Sequence, residues 1–223
     1  MGIVWFYNRK RYSGITYWLV NLLLHTIGVT LLVLRGLIPD FLSITISNLM
    51  VTTGIVLIYH GLERFVGKKS TIIHNYVILA IFTGISVYYT YFEPNLEIRN
   101  INFAAVSLIL TVQPFWLMVR RVAPGMRQMT LFVGAVFGGY TVISAARLVL
   151  FIIYPAQGSD FFKSGLPDTV VVALYIILTA GLAFSLILMV SRRLLGEVTA
   201  SSNELKAKQE LLNQTGSLAK AGG

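Results

Sequence analysis

A cation inside an apolar run is costly, so Arg147, within the stretch Met129 to Tyr154, is the first candidate for chemistry. Helical rise puts it about 10 Å from the outer end of that stretch. Its stem can snorkel outward from there. Alternatively the guanidinium turns to the interior and holds an anionic head group or a carboxylate through its planar fork. Asn21 and His25 stand one helical turn apart and share a face, while Ser47 and Asn48 lie in the outer half of the following run. Such side chains serve as interhelical glue, or together they outline a small polar pocket. The candidate ligand-binding residues are therefore Arg147, His25, Asn21 and Asn48.

Metal and nucleophile chemistry have little to work with. The chain has no cysteine, which removes disulfides, thiolate metal sites and thiol nucleophiles. His25 lies near the middle of its run, while His60 and His74 fall near the basic boundaries of two successive runs. A bis-histidine haem would need two of these imidazoles to face each other across one iron. No phosphate loop, serine elbow, paired acidic metal motif or zinc signature occurs. No catalytic residue, metal or cofactor is expected in these residues.

The elements that must position these side chains are six apolar stretches. They are Gly14 to Leu34, Phe41 to Leu62, Ile72 to Phe92, Ile101 to Val119, Met129 to Tyr154 and Pro167 to Val190. Each approaches the ~20 residues that cross a bilayer as a helix. Lys and Arg gather at every second connection: Arg9, Lys10 and Arg11, then Arg64, Lys68 and Lys69, then Arg120, Arg121 and Arg127, then Arg192 and Arg193. The positive-inside rule makes those ends cytoplasmic. The opposite connections hold Arg35, Arg99 and Lys163 beside Asp40, Glu93, Glu97, Asp160 and Asp168, and face outward. With 56% of residues hydrophobic and 12% charged, the chain reads as an all-α polytopic membrane bundle rather than a soluble domain. The net charge of +9 sits at membrane boundaries, which favours anionic lipid over nucleic acid as its partner.

Local signals refine the ends and the turns. Residues 1–13 read as an interfacial stub or the inner end of a helix that precedes the chain, so that a parent would have six spans or seven. Residues 14–193 form the membrane domain. Beyond Arg193 the composition turns polar while Val198, Leu205 and Leu212 recur at a seven-residue interval, the seam of a cytoplasmic coiled-coil helix over 194–215. Leu194 and Ser201 can take the companion core positions, and Gly196 should loosen the exit from the membrane. Pro39 suits the first turn of the second span, and Asp40 its positive end. Gln113-Pro114 and Gly138-Gly139 weaken their helices and act as packing features or hinges.

The run from Glu204 to Gly223, ELKAKQELLNQTGSLAKAGG, resembles the lead-in to a PAS domain of bacterial signalling proteins, which usually continues into a Trp-Glu strand after the paired glycines. On that resemblance residues 216–223 are the start of a PAS domain that the chain cuts off. The segments Leu34 to Asn48, LRGLIPDFLSITISN, and Tyr59 to Gly67, YHGLERFVG, resemble the multi-span sensor region that precedes PAS and diguanylate cyclase or histidine kinase domains. The resemblance implies a sensory module of a bacterial inner membrane, homodimeric, passing an external or in-membrane cue from a small-molecule or lipid ligand through the last span. Val198, Leu205 and Leu212 would relay the signal. The competing classes are a transporter or channel whose polar groups line a substrate path, and a haem-carrying redox protein.

Overall fold

A computed structural model describes residues 1–68, 73–153 and 166–221, which are helical and contain no strand. Six helices are long and apolar enough to cross a membrane: Ile15–Val33, Phe41–Phe65, Ile73–Tyr91, Leu96–Arg121, Pro124–Ile153 and Ala173–Asn213. The chain is an all-α, multi-pass membrane protein. Lys69, the Ile72 start of the third run, the Tyr154 end of the fifth, the connection with Asp160 and Lys163, and Gly222-Gly223 lie outside the described residues.

A short helix α1 (Gly2–Asn8) packs Met1, Val4 and Trp5 on the bundle and leaves Ile3, Phe6 and Tyr7 exposed. It is followed by α2 (Ile15–Val33) and a tight turn in which Leu37 N–H donates to the Leu34 carbonyl at 2.9 Å. Gly36 takes φ +86° in that turn, a conformation that side chains with a Cβ avoid. The second span opens with a π-helical turn, Phe41–Ile46, that runs into α3 (Ser47–Phe65). Asp40 stands at its start without a side-chain cap.

After α4 (Ile73–Tyr91) comes α5 (Leu96–Trp116), which starts five residues earlier than the apolar run Ile101 to Val119 suggests. The Asn95 side chain accepts from Ile98 N–H at 3.1 Å, so a polar cap rather than hydropathy sets the boundary, and Arg99 becomes a helical residue. Pro114 removes one donor from the ladder, and the helix then widens into a π-helical turn, Leu117–Arg121. The buried Thr130 hydroxyl donates to the Met118 carbonyl in that turn at 3.1 Å. Helix α6 (Arg127–Ile153) passes through Gly138-Gly139 without a break. Cβ atoms at Gly138 and Gly139 would stand 3.3 Å from Phe115 and 3.1 Å from Leu178, which makes the pair a packing feature.

Helix α7 (Leu166–Ala221) is continuous, so Gly196 does not interrupt the exit as the sequence suggested. Helical neighbours on both sides supply the ladder that a single glycine merely weakens. We call the end of the bundle with the α7 extension the tail end. There Trp18, Leu62, Phe65, Leu117, Phe137, Leu186 and Met189 join into one core. Ile55, Val56, Leu79, Phe82, Val106 and Leu110 form a second cluster among α3, α4 and α5.

Helices α2 and α3 meet along glycines, as close packing in lipid requires. A Cβ at Gly61 would lie 2.7 Å from the Gly14 carbonyl oxygen and 2.7 Å from Trp18 Nε1. One at Gly54 would lie 2.8 Å from both Asn21 Oδ1 and His25 Nδ1. Between α4 and α5 the contact is polar: Asn75 and Gln113 exchange amide hydrogen bonds of 3.0 and 2.8 Å.

Candidate functional site

Five helices surround one internal cavity of about 410 Å³, in the size range of small-molecule sites. The glycine contacts of α2 and α3 bring Asn21, His25, Ser47 and Asn48 to one wall, while α5 supplies Arg99, Asn100, Ser107 and Thr111. Helix α6 contributes Phe137, Tyr140 and Arg147, and α7 contributes Tyr175, Thr179 and Leu182. From Arg99 to Thr111 along α5 the cavity runs about 18 Å by helical rise. Arg35 and Arg99 mark its far end, and below it the fully buried Trp18, Leu62 and Leu186 fill the bundle toward the tail.

The four candidates Arg147, His25, Asn21 and Asn48 all line this cavity. Asn21 is 1% exposed. Its Oδ1 and the His25 Nδ1 are buried against Gly54 without a hydrogen-bond partner, so they do not make the interhelical hydrogen bonds of ordinary membrane glue. Arg147 is 7% exposed, and its Cζ lies 5.1 Å from the centre of the Phe151 ring, one turn toward the far end. The stem thus bends outward as snorkelling expects, yet the head group remains inside the bundle. On the opposite wall the Tyr140 hydroxyl lies 2.8 Å from Thr179 Oγ1, and Ser144 Oγ 3.0 Å from the Tyr175 hydroxyl. The Tyr140 and Tyr175 rings stack at 5.6 Å. This side of the cavity is therefore set by how α6 and α7 sit against each other.

His60 and His74 each meet a residue of a different neighbouring helix. The His60 ring meets Tyr17 edge-on at 4.8 Å, and His74 Nε2 lies 3.3 Å from Gln113 Oε1 on α5. Among the described residues no group of three or more His, Cys, Asp or Glu could hold a metal ion.

Two features escaped the sequence reading. Arg35 and Arg99 looked like loop charges, yet both line the cavity; the Asn95 cap was the signal for Arg99. Arg193 looked like an ordinary boundary charge, but it fastens the start of the α7 extension. Its Nη1 donates to the Phe65 carbonyl at 2.7 Å, and its Cζ lies 4.8 Å from both the Tyr12 and Phe65 ring centres. Glu197 accepts from Arg193 Nε at 3.4 Å and from Arg11 Nη2 at 2.6 Å, which ties α7 to the segment between α1 and α2.

Fold and site together define a multi-pass helical membrane protein with a ligand-sized internal cavity. No family model, curated protein or solved structure matches the chain.

Proposed function

We propose that this chain is the membrane-embedded sensory module of a bacterial signalling receptor, and that a cue bound in the cavity alters the output through α7. A single observation carries the reading: α7, which lines the cavity through Tyr175, Thr179 and Leu182, continues unbroken to Ala221. A ligand that favours one arrangement of α7 against α2 and α3 must change the load on Arg193, because that residue grips the end of α3. The cue must bind the two arrangements with different affinity, since equal affinity shifts nothing. Val198, Leu205 and Leu212 are 61%, 64% and 71% exposed, which leaves the heptad seam available to a second copy. By the resemblance of the region after Glu204 and of the Leu34 to Asn48 segment, the output is a PAS domain followed by a diguanylate cyclase or a histidine kinase. The chain itself is not an enzyme in this reading, its C-terminus is cytoplasmic, and the membrane is the bacterial inner membrane.

The test is helical phase. In the full-length receptor, one residue inserted after Glu197 leaves the Arg193–Glu197–Arg11 contacts in place and turns the downstream helix by ~100°. Seven residues restore the heptad facing. Cyclic di-GMP synthesis or autophosphorylation should lose its regulation with one inserted residue and regain it with seven. Equal regulated output in both would remove the sensor reading and leave the cavity to a transporter with a passive tail.

A further inference from the structure

The charged groups around this cavity are engaged within the protein. Arg35 and Arg147 each interact with other groups of the chain, and Asp40 acts on the charge of Arg99. Most neutral polar groups of the lining are satisfied too. The Ser47 and Thr111 hydroxyls donate to the Ser43 and Ser107 carbonyls at 2.6 and 2.8 Å, and on the opposite wall Tyr140 pairs with Thr179 and Tyr175 with Ser144. Asn21 Oδ1 and His25 Nδ1 are closed off against Gly54.

Three side chains differ. Asn48 on α3 and Asn100 and Ser107 on α5 line the cavity, make no side-chain hydrogen bond among the described residues, and keep accessible surface on their polar atoms. Ser107 is nevertheless 3% exposed. Both helices run from the far end toward the tail, and Ile55 and Val56 of α3 pack with Val106 and Leu110 of α5. Two turns back from that cluster, Asn48 therefore lies level with the turn of α5 that carries Asn100, while Ser107 sits about 10 Å deeper. Around them Val51, Ile55 and Phe103 make the wall apolar. Interior polar atoms without a partner cost free energy that a hydrogen-bonding ligand offsets. An asparagine amide both donates and accepts, so two of them suit a neutral group with the same capacity.

We infer that the cavity binds an uncharged amphipathic molecule, whose amide, hydroxyl or carbonyl group meets Asn48 and Asn100 while its apolar chain runs deeper along Val51, Ile55 and Phe103. This names the ligand class of the sensory site and rests on that reading of the cavity. Ser107 takes a second polar atom where the chain carries one. An organic anion is disfavoured, because its charge would lose water with only engaged cations nearby.

The experiment uses the whole chain in phosphatidylcholine nanodiscs, with radiolabelled decanamide as the probe. Dodecane serves as its apolar counterpart and ionised decanoate as its charged one. Affinities are referred to the concentration dissolved in the bilayer, with empty nanodiscs subtracted. Saturable binding of decanamide about tenfold tighter than dodecane is expected, since two neutral hydrogen bonds are worth about that factor or more. Decanamide should also exceed decanoate by at least about tenfold. Asn48→Leu and Asn100→Leu should each weaken decanamide about three- to tenfold and leave dodecane unchanged, whereas Lys208→Gln, far along α7, should alter neither. Both asparagines are half-buried, and leucine there strands no hydrogen-bond partner. Should one variant fail to fold by gel filtration, the other carries the comparison, and the ranking of the three probes needs no variant. Decanoate binding tighter than decanamide would overturn the inference and give the cavity to an anion. Equal affinity for decanamide and dodecane, or indifference to both asparagine substitutions, would also overturn it. If decanamide binds as expected while the receptor's output ignores helical phase, the ligand site stands and the sensor reading falls. If phase governs output and decanamide does not bind, the reverse holds.

Discussion

Gly61→Ala is the sharpest probe of the contact that sets one wall of the cavity. In an isolated helix the change should stabilise, since alanine exceeds glycine by about 1 kcal/mol in helix propensity. At this position the added methyl would stand 2.7 Å from the Gly14 carbonyl oxygen and 2.7 Å from Trp18 Cδ1 and Nε1. Neither neighbour gives way cheaply. Gly14 is backbone at φ +108°, already at the edge of α2, and Trp18 is 0% exposed within the core that includes Leu62 and Phe65. Overpacking against constrained neighbours costs typically 1–3 kcal/mol, and two such contacts at once put Gly61→Ala near the upper end, about 3 kcal/mol. Subtracting the propensity gain leaves a net loss of about 2 kcal/mol, or roughly 4–8 °C in melting temperature for a chain of this size. The control is Gly84→Ala on α4, where a Cβ meets nothing within 4 Å and propensity alone should act. Trp5, Trp18 and Trp116 provide the fluorescence for thermal melts of both variants in one detergent. If Gly61→Ala melts with Gly84→Ala, α2 and α3 do not meet as described, and the wall holding Asn21 and His25 is not built this way.

Other expectations test separate parts of the molecule. Gln113→Ala should destabilise by about 1–3 kcal/mol, because it strands the buried Asn75 amide, and Asn75→Ala by about 0.5–1.5 kcal/mol, because the half-buried Gln113 keeps the Ile109 carbonyl as a partner. The double variant should lose less than the sum by about 0.5–1.5 kcal/mol in a double-mutant cycle, and strict additivity would mean that the two amides do not pair. Because the chain has no cysteine, single cysteines report cleanly on the α7 extension. Val198→Cys, Leu205→Cys and Leu212→Cys should form disulfide-linked dimers in membranes, whereas Asn203→Cys and Glu210→Cys, on the opposite side of the heptad, should not. Uniform cross-linking around the helix would exclude a specific seam.

Transmembrane helices are unusually legible because lipid forces every backbone polar group into internal hydrogen bonds, so length and hydropathy nearly dictate the element. For that reason the six spans, the all-α class and the shared face of Asn21 and His25 could be read from the sequence of this chain alone. Boundaries set by single polar contacts could not. Asn95 starts α5 five residues before the apolar run, and the backbone shift after Pro114 becomes a π-helical turn anchored by Thr130 twelve residues beyond Met118. The cavity belongs to the tertiary structure, because its lining comes from five helices whose rotations depend on where glycines let backbones approach. Arg147 was conspicuous as a charge within an apolar run. Arg35 and Arg99 were not, since a charge near a helix end has the same sequence signature whether it faces water or a cavity. Arg193 and Phe65 are 128 residues apart, and no local pattern records that one donates to the other. The sequence by itself determined what each segment becomes; which faces meet, and therefore what the site contains, depended on long-range packing that no periodicity encodes.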